Sequence, residues 1–124
     1  MKAAVFKEVG QPLVLESVAD PAPEPCELVM KVSFCGICGT DLHATREGLT
    51  TACCDQILGH EYVGEIVEVG KEADTSWKIG DRVCAMPFIG CGRRLPYAAG
   101  RFFECADKKV SGVDDPGGFA TRVH

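Results

Sequence analysis

The 124-residue sequence predicts a mainly β fold, a small antiparallel barrel or sandwich with one or two short helices. Three observations carry this expectation. Short segments alternate polar and apolar side chains and are rich in β-branched residues, turn-forming residues separate them at close intervals, and little of the chain has helical spacing.

Taken in order, residues 2–7 and 13–19 alternate around a turn that contains Gly10 and Pro12, which predicts a first hairpin. Residues 20–25 contain three prolines; they suit neither a central strand nor a helix and read as a surface connection. Residues 27–34 and 62–69 read as core strands, with a short helix over 39–46 between them. Gly80-Asp81 reads as a turn, residues 82–87 as a returning strand and 119–123 as the last strand. No internal repeat or low-complexity stretch interrupts this pattern, so residues 1–124 are expected to form one domain.

The composition narrows the function. A formal net charge of −5 argues against a nucleic-acid partner, because phosphate contacts need clustered Lys and Arg, and Arg93-Arg94 and Lys108-Lys109 are too short to form such a patch. Apolar runs are far shorter than the roughly 20 residues that span a bilayer. Eight cysteines without a repeating spacing, and no hydrophobic signal segment after Met1, favour a reduced cytoplasm over a secreted disulfide framework. Cys26, Cys53, Cys54 and Cys84 are then packed or surface thiols, the adjacent Cys53-Cys54 being able to take a stray metal.

Two motifs carry chemistry. Cys35-Gly36-Ile37-Cys38-Gly39-Thr40-Asp41-Leu42-His43 is followed by Gly59-His60-Glu61, which offers one zinc ion a thiolate and an imidazole. Thr40 and His43 are placed to pass a proton, and Asp41 to accept the free N–H of a zinc-bound His60. Each residue also has an ordinary role. A CxxC is equally a redox pair or two packed thiols, a lone His is most often structural, and an Asp at this position caps a helix. The combination is what points to a metal site.

Read end to end, the chain resembles the N-terminal, GroES-like catalytic domain of the zinc-dependent medium-chain alcohol dehydrogenases. The likeness is carried by Met1-Lys2-Ala3-Ala4-Val5, residues 27–43, Leu58-Gly59-His60-Glu61-Tyr62-Val63-Gly64-Glu65-Ile66-Val67, Gly80-Asp81-Arg82-Val83 and Gly117-Gly118-Phe119-Ala120. The resemblance implies a GroES-like barrel. It makes Cys38, not Cys35, the first ligand of a catalytic zinc, His60 the second and Glu61 an alternative ligand close behind the metal. It also makes Thr40 and His43 a proton relay from the substrate hydroxyl, while zinc, as Lewis acid, lowers the pKa of the alcohol and hydride leaves for NAD(P).

Two departures from that family are visible. Many relatives carry a structural zinc in a CxxCxxCx7C lobe, but here only Cys91 and Cys105 remain, with Arg94 and Tyr97 at the two positions between. Neither replaces a thiolate, so the structural zinc is expected to be absent and the loop over about 89–110 to be mobile or refolded. No GxGxxG occurs, so no Rossmann cofactor domain lies within the sequence.

The function expected is the catalytic half of a zinc-dependent, NAD(P)-linked alcohol or polyol dehydrogenase that is incomplete and inactive alone. Two ligands of its own leave zinc weakly held or the site empty. NAD(P) would act only with a partner Rossmann domain. The alternative is a metal-binding or protein-interaction domain without turnover, which self-associates through the surface that would face the missing half.

Overall fold

The computed structural model describes residues 1–48, 54–74, 76–89, 100–101, 104 and 106–124. Strands β1 (Lys2–Phe6) and β2 (Val14–Ser17) form the expected hairpin, in a register that runs from Lys2 opposite Ser17 to Val5 opposite Val14. Strand β3 (Leu28–Cys35) leads to helix α1 (Gly39–Glu47), after which β4 (Gln56–Ile57) joins the free edge of β1. Strand β5 (Tyr62–Val69) pairs antiparallel with β3 and with β6 (Arg82–Cys84). Strands β7 (Phe88–Ile89) and β8 (Lys109–Val110) form a separate ribbon, and β9 (Arg122–Val123) closes the far edge of β3. The architecture is therefore three antiparallel sheets, β2-β1-β4, β6-β5-β3-β9 and β7-β8, with one helix among the described residues. No helix is long and apolar enough to cross a membrane among those residues.

The mainly β expectation holds, and its boundaries shift for physical reasons. Residues 119–123 do not make one continuous strand pairing because this segment passes from one sheet to the other. The carbonyl of Phe119 accepts the N–H of Ala4 and the N–H of Thr121 donates to Lys2, whereas the carbonyl of Thr121 accepts from Val32 in the second sheet. The strand expected over 82–87 stops at Cys84. Ala85 still donates to Tyr62 at 3.0 Å, but Pro87 has no N–H with which to continue the ladder.

Three buried clusters hold the sheets together. Ala3, Val5 and Ile57 form one, Phe6, Ala44 and Leu58 the second, and Met30, Tyr62 and Val123 the third. Phe119 packs on the first two and so joins β1 to the inner face of α1. Val29 and Ile66 are completely buried, and removing each such side chain from water contributes about 1.5–3 kcal/mol. The buried Tyr62 hydroxyl is satisfied by Ser111 Oγ at 3.0 Å. Its phenol pKa is pushed above the ordinary value, chiefly by burial.

Candidate metal centre

The two motifs meet because one backbone bond prolongs the β3–β5 pairing. Beyond Cys35, the N–H of Gly36 donates to the carbonyl of Glu61 at 2.7 Å. The chain then turns into α1 with Cys38 as the extended N-cap residue, at φ −90° and ψ 160°. Asp41 folds back so that its Oδ2 accepts the N–H of Cys38 at 2.8 Å, the arrangement of a capping box. Its negative charge also lies in the first turn, where the helix dipole favours it. The capping role expected of an Asp at this position is thus real, and it is not the only role Asp41 has.

On the opposite wall, His60 and Glu61 follow Gly59, whose φ of +89° is one that glycine adopts without strain. A Cβ there would stand 2.7 Å from the Phe119 ring and 2.9 Å from Cys35 Sγ. The turn is held from behind by Gly118, whose N–H donates to Gly59 O at 2.8 Å, and by Phe119, which donates to Leu58 O at 3.0 Å. The Gly117–Ala120 motif is legible in the sequence only as a likeness; its contact with Gly59 joins positions about half the chain apart, and no local spacing signals it.

A sulfur of Cys38, a ring nitrogen of His60 and a carboxylate oxygen of Glu61 lie within 4.8 Å of one another. Among the described residues this is the only such group of three or more His, Cys, Asp or Glu side chains. A tetrahedral zinc with bonds of about 2.0–2.3 Å has ligand-to-ligand edges of about 3.3–3.8 Å, so modest side-chain closure brings the three atoms to that spacing. Thiolate, imidazole and carboxylate are also donor types that zinc accepts, and the set suits that metal.

The His60 ring is oriented from both sides. Thr40 Oγ1 lies 3.3 Å from Nε2, and Asp41 Oδ1 lies 3.8 Å from Nδ1. At that separation Asp41 faces the ring without hydrogen-bonding it, and the same oxygen accepts the N–H of Gly59 at 3.3 Å. His43 faces elsewhere. Its Nδ1 is 3.1 Å from Glu47 Oε2, one helical turn on, and the imidazole is largely exposed. Cys35 stands outside the three-donor group, with its Sγ 3.5 Å from the carbonyl of Gly36. Burial pushes its thiol pKa up, helped by the charges of Asp41 and Glu61, which disfavours the thiolate that a metal needs. Cys91, Arg94, Tyr97 and Cys105 lie outside the described residues.

Apolar side chains flank the site. Phe34 and Ile37 are about three-quarters exposed, and Val63, the cross-strand partner of Phe34, is also exposed. The β-bulge between Val32 and Phe34 breaks the alternation of β3, which turns Phe34 outward despite its place in a core strand.

Comparison with known proteins gives the family of this fold. The family model of the alcohol dehydrogenase GroES-like domain matches residues 24–124. The chain is 37% identical over 130 residues to an L-threonine 3-dehydrogenase of Xanthomonas euvesicatoria pv. vesicatoria, covering 97% of this chain and 36% of that protein. The alcohol dehydrogenase of Aeropyrum pernix superposes with a TM-score of 0.89 at 31% identity, over 99% of this chain and 37% of its own. An alcohol dehydrogenase from E. coli CFT073, complexed with NADH, gives a TM-score of 0.82 at 30% identity, over 99% and 35% respectively. The chain thus spans about a third of the length of the relatives it matches. With a GroES-like fold and a family match over most of its length, the chain belongs to the alcohol dehydrogenase GroES-like domain family.

Proposed function

We propose that this chain is the catalytic-domain part of a zinc-dependent, NAD(P)-linked dehydrogenase that oxidises a small alcohol. The observation that carries this reading is the meeting of Cys38, His60 and Glu61 within 4.8 Å, with Thr40 Oγ1 3.3 Å from His60. Cys38 and His60 would hold zinc, with Glu61 as the third donor this chain can itself offer. When bound, the metal supplies a Lewis acid that favours loss of the substrate's hydroxyl proton.

The chain's own residues do the rest. Asp41 fixes the helix entry that presents Cys38 and faces Nδ1 of His60, so that the ring meets the site through Nε2. The Thr40 hydroxyl, on the site side of α1, accepts the substrate proton and hands it on. His43, three residues further along the helix and turned toward Glu47 at the exposed surface, is the outer member of that relay and gives the proton an exit. No dinucleotide-binding turn is present in the sequence, so the nicotinamide cofactor is held by polypeptide outside it. Relatives about three times as long, one of them complexed with NADH, support that division of labour.

The test is a hybrid in which this chain replaces the matching region of the Xanthomonas dehydrogenase. Formation of NADH with an alcohol, reduced about 10²- to 10⁴-fold by Thr40→Val, is the expected result. A folded, metal-loaded hybrid that oxidises no alcohol would refute it.

A second reading rests on exposed Phe34, Ile37 and Val63, apolar area beside the site that suits contact with another polypeptide. It gives an interaction domain that self-associates and has no turnover. Sedimentation at high concentration tests it, and a strictly monomeric profile counts against it.

A further inference from the structure

We propose that Gly36 is the positioning residue for the Glu61 carboxylate, a role it can fill only because it lacks a side chain. This rests on the reading of Cys38, His60 and Glu61 as a zinc site. Gly36 holds the Glu61 backbone through its N–H, which donates to Glu61 O at 2.7 Å. The Glu61 side chain then lies back over the same glycine. A Cβ on Gly36 would stand 3.0 Å from Glu61 Oε2, 3.5 Å from its Cβ and 3.6 Å from its carbonyl oxygen.

The backbone of Gly36 is not in the left-handed region, so alanine fits its conformation. The tight contact is with the free end of a flexible carboxylate, which can shift by a few tenths of an ångström at little cost to the fold. Filling this space therefore moves the third donor and leaves the domain intact. Gly39, one residue past Cys38, supplies the contrast, because a Cβ there would meet nothing within 4 Å.

Zinc affinity of the full chain, measured by competition with Co²⁺, tests this. Gly36→Ala is expected to weaken binding about tenfold, the scale on which residues supporting a ligand act. Gly39→Ala is expected to leave binding within about twofold and so to separate local geometry from glycine loss in general. In a Glu61→Ala background Gly36→Ala should have no further effect, because the group it displaces is gone. Urea midpoints of all variants should match that of the parent, apart from any shared effect of Glu61→Ala.

A change below about threefold for Gly36→Ala, a tightening, or an equal loss in the Glu61→Ala background would overturn the proposal. Cys38→Ser tells the two failures apart. If it abolishes tight binding while Gly36 and Glu61 do not couple, the positioning role alone is wrong. If it changes nothing, the zinc reading is wrong and the proposal falls with it.

Discussion

Asp41 and Gly59 are joined across the two motifs: Asp41 Oδ1 accepts the N–H of Gly59 at 3.3 Å while Oδ2 accepts that of Cys38 at 2.8 Å. One buried carboxylate thereby ties the residue before His60 to the residue that carries the thiol. Asp41→Ala would leave two backbone donors without this acceptor, a loss of about 1–3 kcal/mol by chemical denaturation. Asp41→Asn, which keeps one carbonyl oxygen, should cost less. Both should weaken zinc binding, by about 10- to 100-fold for the alanine.

The two cysteines of the CxxC should behave differently. Cys38→Ser and His60→Ala each remove a donor from the three-atom group, and zinc affinity should fall by more than about tenfold. Cys35→Ser should bind zinc within about twofold of the parent, because Cys35 lies outside that group and its thiol pKa is raised. Isothermal titration of the three variants checks this.

Gly59→Ala joins an unfavourable φ to a collision with Phe119. A loss of about 2–5 kcal/mol is expected, the sum of left-handed strain and overpacking. Adding Phe119→Leu should recover part of the steric share and none of the backbone share, which can be read from thermal melts of the two variants.

Stability should decline in alkali. Cys35 and Tyr62 both have pKa values raised in the folded state, chiefly by burial, from ordinary values of 9.0 and 10.0. The fold therefore favours their protonated forms. Their contribution is fully present below the unfolded-state values and is lost as pH rises through the folded ones. Urea titrations from pH 8 to 11 should show the falling limb, and Tyr62→Phe should flatten its upper part.

The sequence made the hairpin, β3, β5 and α1 legible because alternation, turn residues and a cap are local signals. Of the two-residue strands, β4, β7 and β8 have no period to detect and exist only through their partners. The outward turn of Phe34 depends on a bulge set by pairing with β5, and the crossing of residues 119–123 depends on both sheets. At the site, Cys38, His60 and Glu61 were readable as a motif. The seating of Glu61 over Gly36, and of Gly59 against Phe119, was not, since neither is encoded in spacing along the chain.

Cys38, His60 and Glu61 are assigned as a zinc site within this one chain, and metal stoichiometry decides that assignment. Metal-free protein titrated with Co²⁺ should bind about one equivalent, with a sulfur-to-metal absorption band that Cys38→Ser removes. Binding of less than about a tenth of an equivalent, or a band unchanged in Cys38→Ser, would contradict it.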